Sequence, residues 1–290
     1  MQRNVANLLL VLSILFVITA CVCRSDRDQE PAPAASEKPA ANTRTEAPAT
    51  SGSSKKDEGD FIVEQDPVSD PKYVDIDRQV RNEKLLQRAA DRLNKALILP
   101  QDIYLRTKVC GEKNAFYEAD SSSVTVCYEL MDHFYGVFRS DGLSDEKAYD
   151  KMFDAVRFVF LHEIGHALID TYSLPVAGNE EDAADRCSAY INLEELGEEG
   201  VRAVFAAAEA FAIESKRGGG SRQRDLADEH MLQEQRFYNS LCMIYGSNST
   251  KYEKIRTEGF LPKERAVRCE TEYSRTRQSW IELLKPWRKN

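Results

Sequence analysis

Two of the chain's four histidines stand one helical turn apart in Leu161-His162-Glu163-Ile164-Gly165-His166, a His-Glu-x-x-His pattern. On a helix, side chains at this spacing share a face, with roughly 5–6 Å between Cβ atoms, so both imidazoles can reach one metal ion. Zinc suits such a pair. Glu163 then lies beside the ion rather than on it, where its carboxylate can accept a proton from an attacking water. The chemistry predicted by these residues is metal-assisted hydrolysis.

A catalytic zinc takes a third protein ligand and keeps one position open. After the turn Ser173-Leu174-Pro175-Val176-Ala177-Gly178, Asn179 is placed to cap a second helix that begins Glu180-Glu181-Asp182-Ala183-Ala184-Asp185. Glu181 is the predicted third ligand, with Glu180 as the one-residue alternative. Asp185 falls one turn beyond Glu181 on the same face and is predicted to hydrogen-bond a ligand histidine, fixing its ring. Glu180 and Asp182 are otherwise expected to face solvent.

These groups need a rigid frame. Ser144 reads as the N-cap of the helix that carries the histidines, with Asp145 and Glu146 suited to its positive end. Tyr149, Met152, Phe153, Val156, Val159, Phe160, Ile164 and Leu168 then recur at spacings of three and four, which predicts a buried helix. Gly165 weakens helix propensity by about 1 kcal/mol relative to Ala, so packing or a close backbone neighbour must compensate.

Upstream, 83–97 has a helical apolar pattern stopped by Pro100, while 103–109 and 123–128 alternate as strands, with Asn114-Ala115-Phe116-Tyr117 a further short strand between them. Downstream, 198–216 is Ala-rich and helical, Gly218-Gly219-Gly220 breaks the chain, and 226–245 resumes a helix ending at Gly246. Pro262 is expected in the first turn of a last helix running through Tyr273 to Leu284. The predicted fold class is α+β: a small antiparallel sheet upstream of a buried metal-binding helix, and a mainly helical C-terminal half.

His162-Glu163-x-x-His166 followed by Glu181-x-x-x-Asp185 resembles the gluzincin arrangement of thermolysin-like peptidases. More closely, the chain resembles an uncharacterised bacterial metallopeptidase family, a domain of unknown function named for its motif. The matching segments are Asn114 to Tyr117, Cys127-Tyr128-Glu129-Leu130, the histidine helix, Glu181 to Asp185, and Gln235-Arg236-Phe237-Tyr238-Asn239, within roughly 75–287. The resemblance implies a zincin-like fold, a Zn2+ cofactor and a peptide or protein substrate. It also implies a sheet edge that pairs with extended substrate, here the segment around 114–117, where a plain hairpin covering the core is the other reading. An oxyanion donor from the C-terminal half is implied as well, with His230 the first candidate on the predicted 226–245 helix and Tyr238 and Arg236 behind it. His133 reads as a structural histidine. The metzincin signature departs from this chain, which has Ile169 and Tyr172 where that pattern needs Gly and His.

The N-terminus addresses location. Arg3 precedes an apolar run from Leu8 to Ile18 that is short for a membrane span, and Ile18-Thr19-Ala20-Cys21 reads as a lipobox. The expected organisation is a lipoprotein signal peptide over 1–20, a Pro/Ala/Ser-rich disordered tether over 21–70, and a metallopeptidase domain over 71–290. Lipid on Cys21 would anchor the protein outside the cytoplasm in a bacterial envelope, in the periplasm or at the outer membrane of a two-membrane host; an ordinary secretory signal is the other reading.

Cys110 with Cys127, and Cys242 with Cys269, are expected disulfide pairs for an oxidising compartment, leaving Cys187 buried and free. No cysteine sits in the local signature of a thiol protease, and a structural zinc site would leave Glu163 without a task. A net charge of −9 argues against nucleic acid as a partner. The function predicted is a zinc metallopeptidase with His162, His166 and Glu181 on the metal and Glu163 as general base. The alternative is a non-catalytic envelope lipoprotein that binds a protein partner through the same cleft.

Overall fold

A computed structural model describes residues 55–217 and 229–289. Signal peptide, Cys21 and most of the tether lie outside the described residues. In chain order the elements are β1 (Phe61–Glu64), α1 (Val74–Asn82), α2 (Leu85–Ala96), β2 (Ile103–Lys108), β3 (Ala115–Glu118), β4 (Ser123–Cys127) and α3 (Tyr128–Ser140). There follow α4 (Asp145–Thr171), α5 (Glu180–Glu195), α6 (Gly197–Arg217), α7 (Gln233–Ser247), α8 (Glu253–Thr257), α9 (Lys263–Ala266) and α10 (Cys269–Leu284). The fold class is α+β, with the helices concentrated after the sheet.

The sheet is mixed rather than antiparallel. Its strand order is β1-β2-β4-β3, with β1 and β4 parallel to β2 and β3 antiparallel to β4. Alternating apolar residues define a strand but not its neighbour's direction, which depends on the connections. Here α1 and α2 carry the chain from β1 back to the start of β2, and the chain leaving β2 runs past the future position of β4 to form the outer strand β3 first. β4 then slots between them, buried along its whole length. Strand β1 also shortens the tether assigned to 21–70: Phe61 is buried, pairs in register with Ile103, and exchanges hydrogen bonds with the Asn94 side chain.

Helix α4 runs through the molecule and packs on α3, α5, α6, β3 and β4. Ser144 caps its N-terminus, its side chain accepting from the Lys147 amide. From Phe158 to Ile169 nearly every residue is buried, so the helix is enclosed rather than one-sided. One apolar core surrounds the sheet, α2 and α4; a second, around Val204, Phe211, Leu241 and Ile244, holds α6, α7 and α10 together.

Three further expectations change in the C-terminal half. Residues 229–232 are irregular and α7 begins only at Gln233, so His230 precedes the helix instead of lying on it. Gly246 does not end α7, which continues to Ser247; a Cβ at 246 would come within 2.2 Å of the Cys269 carbonyl oxygen, so the glycine permits α7 and α10 to touch. Pro262 begins only the short α9, and the long helix starts anew at Cys269.

Candidate metal centre

The site forms where α4 and α5 come closest. Gly165 faces α5, and a Cβ there would lie 3.1 Å from the Ala184 Cα and 3.1 Å from the Cys187 Cβ. Small residues at this level let the two backbones approach, which offsets the poor helix propensity of glycine. Cys187 is free and buried, and burial pushes its thiol well above the ordinary range, so it serves as packing. Asn179 caps α5 by accepting from the Glu181 amide at 2.7 Å, which fixes where the first turn presents its carboxylates.

Those carboxylates meet the histidines in a definite pattern. His162 Nδ1 lies 2.9 Å from Asp185 Oδ1, and His166 Nδ1 lies 2.8 Å from Glu180 Oε1. A carboxylate only accepts, so each Nδ1 carries its proton and each Nε2 presents a lone pair. The two Nε2 atoms are 3.2 Å apart. Glu181 completes a triangle with them, its Oε2 3.1 Å from His162 Nε2 and its Oε1 3.3 Å from His166 Nε2.

Three acceptors facing one another at such distances repel unless positive charge lies among them. Ligand bonds of about 2.0–2.1 Å in a tetrahedron put ligand atoms about 3.3 Å apart, so the spacing fits a zinc ion. Glu181 Oε2 is also buried, facing the ring nitrogens of His162 and His230. Protons are the substitute when no cation is bound: burial works against a charge on His162, but the Asp185 and Glu181 carboxylates outweigh it and raise its pKa to about 9. Burial likewise opposes charge on Glu181, yet hydrogen bonds to His162, His166 and His230 hold its pKa far below the usual carboxylate range.

Behind the triangle, Asp185 is held from the far side by Arg236, with Nε 2.8 Å from Oδ2 and Nη2 2.7 Å from Oδ1. This forked pairing fixes the carboxylate plane and hence the His162 ring. Arg236 is itself pinned, its guanidinium 4.3 Å from the centroid of the Phe211 ring. Burial is the main cost for Asp185, but Arg236 first and then His162 keep it ionised.

In front of the triangle is a cleft bordered by Ala115, Phe116 and Tyr117 of β3, by Glu163, Ile169 and Asp170 of α4, and by Glu229 and His230. Glu163 is buried beside the histidines, and burial pushes its carboxyl pKa up. His230 Nε2 lies 2.8 Å from Glu181 Oε2, with its ring stacked on that of His162 at 6.1 Å. Strand β3 is the outer strand of the sheet, anchored to α4 by a 2.7 Å hydrogen bond from the Tyr117 hydroxyl to Asp170.

The structure thus brings His162, Glu163, His166, Glu181, Asp185 and His230 to one place. Glu180 is exposed, as expected, and its carboxylate also meets His166 across the gap between α5 and α4; Asp182 pairs with Arg186 at 2.8 Å. Arg236 points at Asp185 and away from the cleft, and Tyr238 lies beside Phe237, with ring centroids 4.9 Å apart, in the second core. His133 pairs with Glu214 at 2.6 Å. Disulfides join Cys110 to Cys127 and Cys242 to Cys269. Arg236 and Glu180 had only faint signals in sequence: an arginine inside a helix that carries few other charges, and an acidic residue at a capped helix start.

A model of the family described as "Putative metallopeptidase" matches residues 65–284 of the chain. No curated protein and no solved structure matches it.

Proposed function

The chain belongs to that metallopeptidase family, and on this premise we propose that it is a zinc-dependent peptidase in which His162, His166 and Glu181 hold the metal. The observation that carries the reading is the convergence of the His162 and His166 Nε2 atoms and the two oxygens of the Glu181 carboxylate, at contacts of 3.1 to 3.3 Å, with both Nδ1 atoms already committed to carboxylates. Zinc in such a set polarises a carbonyl and brings the ionisation of water down to about pH 7.

The chain's own residues divide the remaining work. Glu163 accepts the proton of the attacking water and passes it to the departing amine, which is why an acid must sit beside the ligands without joining them. His230, at the cleft wall, donates an N–H to the oxyanion that develops on the scissile carbonyl. Asp185 and Glu180 hold the ligand rings, and Arg236 holds Asp185. Outer strand β3 offers unpaired backbone groups along the cleft for an extended substrate, favouring peptides over compact small molecules. Cys21, as a lipidated residue, would tether this domain in the bacterial envelope.

The deciding experiment pairs metal analysis with hydrolysis of a broad peptide library by wild type and Glu163→Gln. The expected result is one zinc per chain in both proteins and a rate lower by about 10²–10⁴ in the variant. Equal hydrolysis by the two, or zinc bound with no hydrolysis by either, overturns the enzyme reading. Radiolabelled palmitate incorporated into wild type but not into Cys21→Ser would support the anchor; equal labelling would refute it.

A further inference from the structure

On the side of α4 opposite the cleft, α2, α4, α5 and α10 line a half-open pocket of about 410 Å³. Its walls are mostly aliphatic, with Leu85 and Leu93 from α2, Leu161 and Leu168 from α4, Ile191 from α5 and Leu284 from α10, beside the rings of Phe160 and Tyr190. Protein interiors are packed as densely as organic crystals, and apolar walls left facing an open pocket forgo the gain of burial. A hollow of this size lies in the range of small-molecule pockets and far above ordinary packing defects.

The rim is basic. Arg88, Arg92 and Lys95 form one stripe along α2, and Arg157 and Arg288 face them. The rim glutamates are already engaged: Glu199 by Arg88 at 2.9 Å and by Arg157 at 2.9 Å, and Glu195 by Arg288 at 3.1 Å. Arg92 and Lys95 have no ion pair among the described residues and are exposed at the mouth. In a chain of net charge −9, a basic lip on a greasy hollow is a local departure that needs a cause.

We propose that this cavity binds a single-chain aliphatic carboxylate, of the fatty-acid class, with its chain between α2 and α4 and its head group at Arg92 and Lys95. The walls offer few polar partners for a peptide or nucleotide, while the rim complements one anionic head. The site is separate from the metal centre. Residues 157, 160, 161 and 168 border the cavity, whereas 162, 163, 166, 169 and 170 border the cleft, and at 100° per residue these sets point in opposite directions.

The test is calorimetric titration of the zinc-loaded full chain with dodecanoate below its micelle concentration, beside hexanoate and dodecanol. The variants are Arg92→Glu with Lys95→Glu, and Ala96→Trp, which fills the cavity from an exposed position at the end of α2. Expected are 1:1 binding of dodecanoate and affinity rising by up to about fourfold per buried methylene. The charge reversal should weaken dodecanoate about tenfold, and Ala96→Trp should abolish binding with circular dichroism and zinc content unchanged. Dodecanol bound as tightly as dodecanoate would mark the hollow as a seat for a neutral apolar group and overturn the proposal. So would no saturable binding, full binding by Ala96→Trp, or conversion of the protein to a dimer without carboxylate uptake.

Discussion

On one side of α4, His162, Glu163 and His166 border a polar cleft; on the other, Phe160, Leu161 and Leu168 border an aliphatic cavity. Neighbours in sequence, such as Leu161 and His162, therefore obey different physics. On the cleft side His162, Glu181, Asp185 and Arg236 are held by named partners, and removing one member strands another. On the cavity side no atom has a unique partner, and what matters is volume and area removed from water. The helix holds reactive groups on one face by being greasy on the other, which explains why it is buried all round and why a simple amphipathic pattern describes it poorly.

The sharpest break of this comparison is Arg236→Ala, which leaves Asp185 buried without its counter-charge; a loss of about 3–5 kcal/mol is expected in urea denaturation. If stability is unchanged, the polar side is not held by matched charge. Leu161→Ala should cost about 2–5 kcal/mol by the same measurement while the zinc content stays at one per chain. Loss of zinc there would show that the two faces are not independent. Asp185→Asn should weaken zinc about 10–100-fold in a chelator competition, because the His162 ring loses its ionised orienter; an unaltered affinity would reduce Asp185 to a packing residue. The smallest effect on stability is expected from Gly165→Ala, where a gain of about 1 kcal/mol in helix propensity opposes the cost of pushing Ala184 away. Its melting temperature should move little while zinc affinity falls several-fold, since Glu181 shifts with α5; a large drop in melting temperature with normal affinity would reverse that reading.

Local rules made part of this legible in the sequence. The His-Glu-x-x-His spacing, the Ser144 and Asn179 caps and the periodicity of α4 are encoded within a turn or two of the residues concerned, and α4 and α5 start where those signals put them. The parallel pairing of β1, β2 and β4 was not legible, because direction is decided by connections and by which strand must be covered. Gly246 looked like a helix end because glycine favours such ends; its contact is with Cys269, supplied by tertiary packing. Helix α3 escaped notice because Tyr128 follows β4 with no intervening turn residue. His230 lost its helix but kept its place at the cleft, and the partnership of Arg236 with Asp185 spans 51 residues, beyond any periodicity.

That long partnership has a consequence in time. Chains emerge N-terminus first at about 5–20 residues per second, so His162, Glu163, His166, Glu181 and Asp185 all appear before Arg236. Until Arg236 arrives, docking α5 on α4 would bury the Asp185 carboxylate with no cation behind it. A nascent or truncated chain ending before α7 would carry all three proposed metal ligands and yet lack the group that lets them close. The proposed metal centre is written in the middle of the chain, but its assembly waits for the last third to be made.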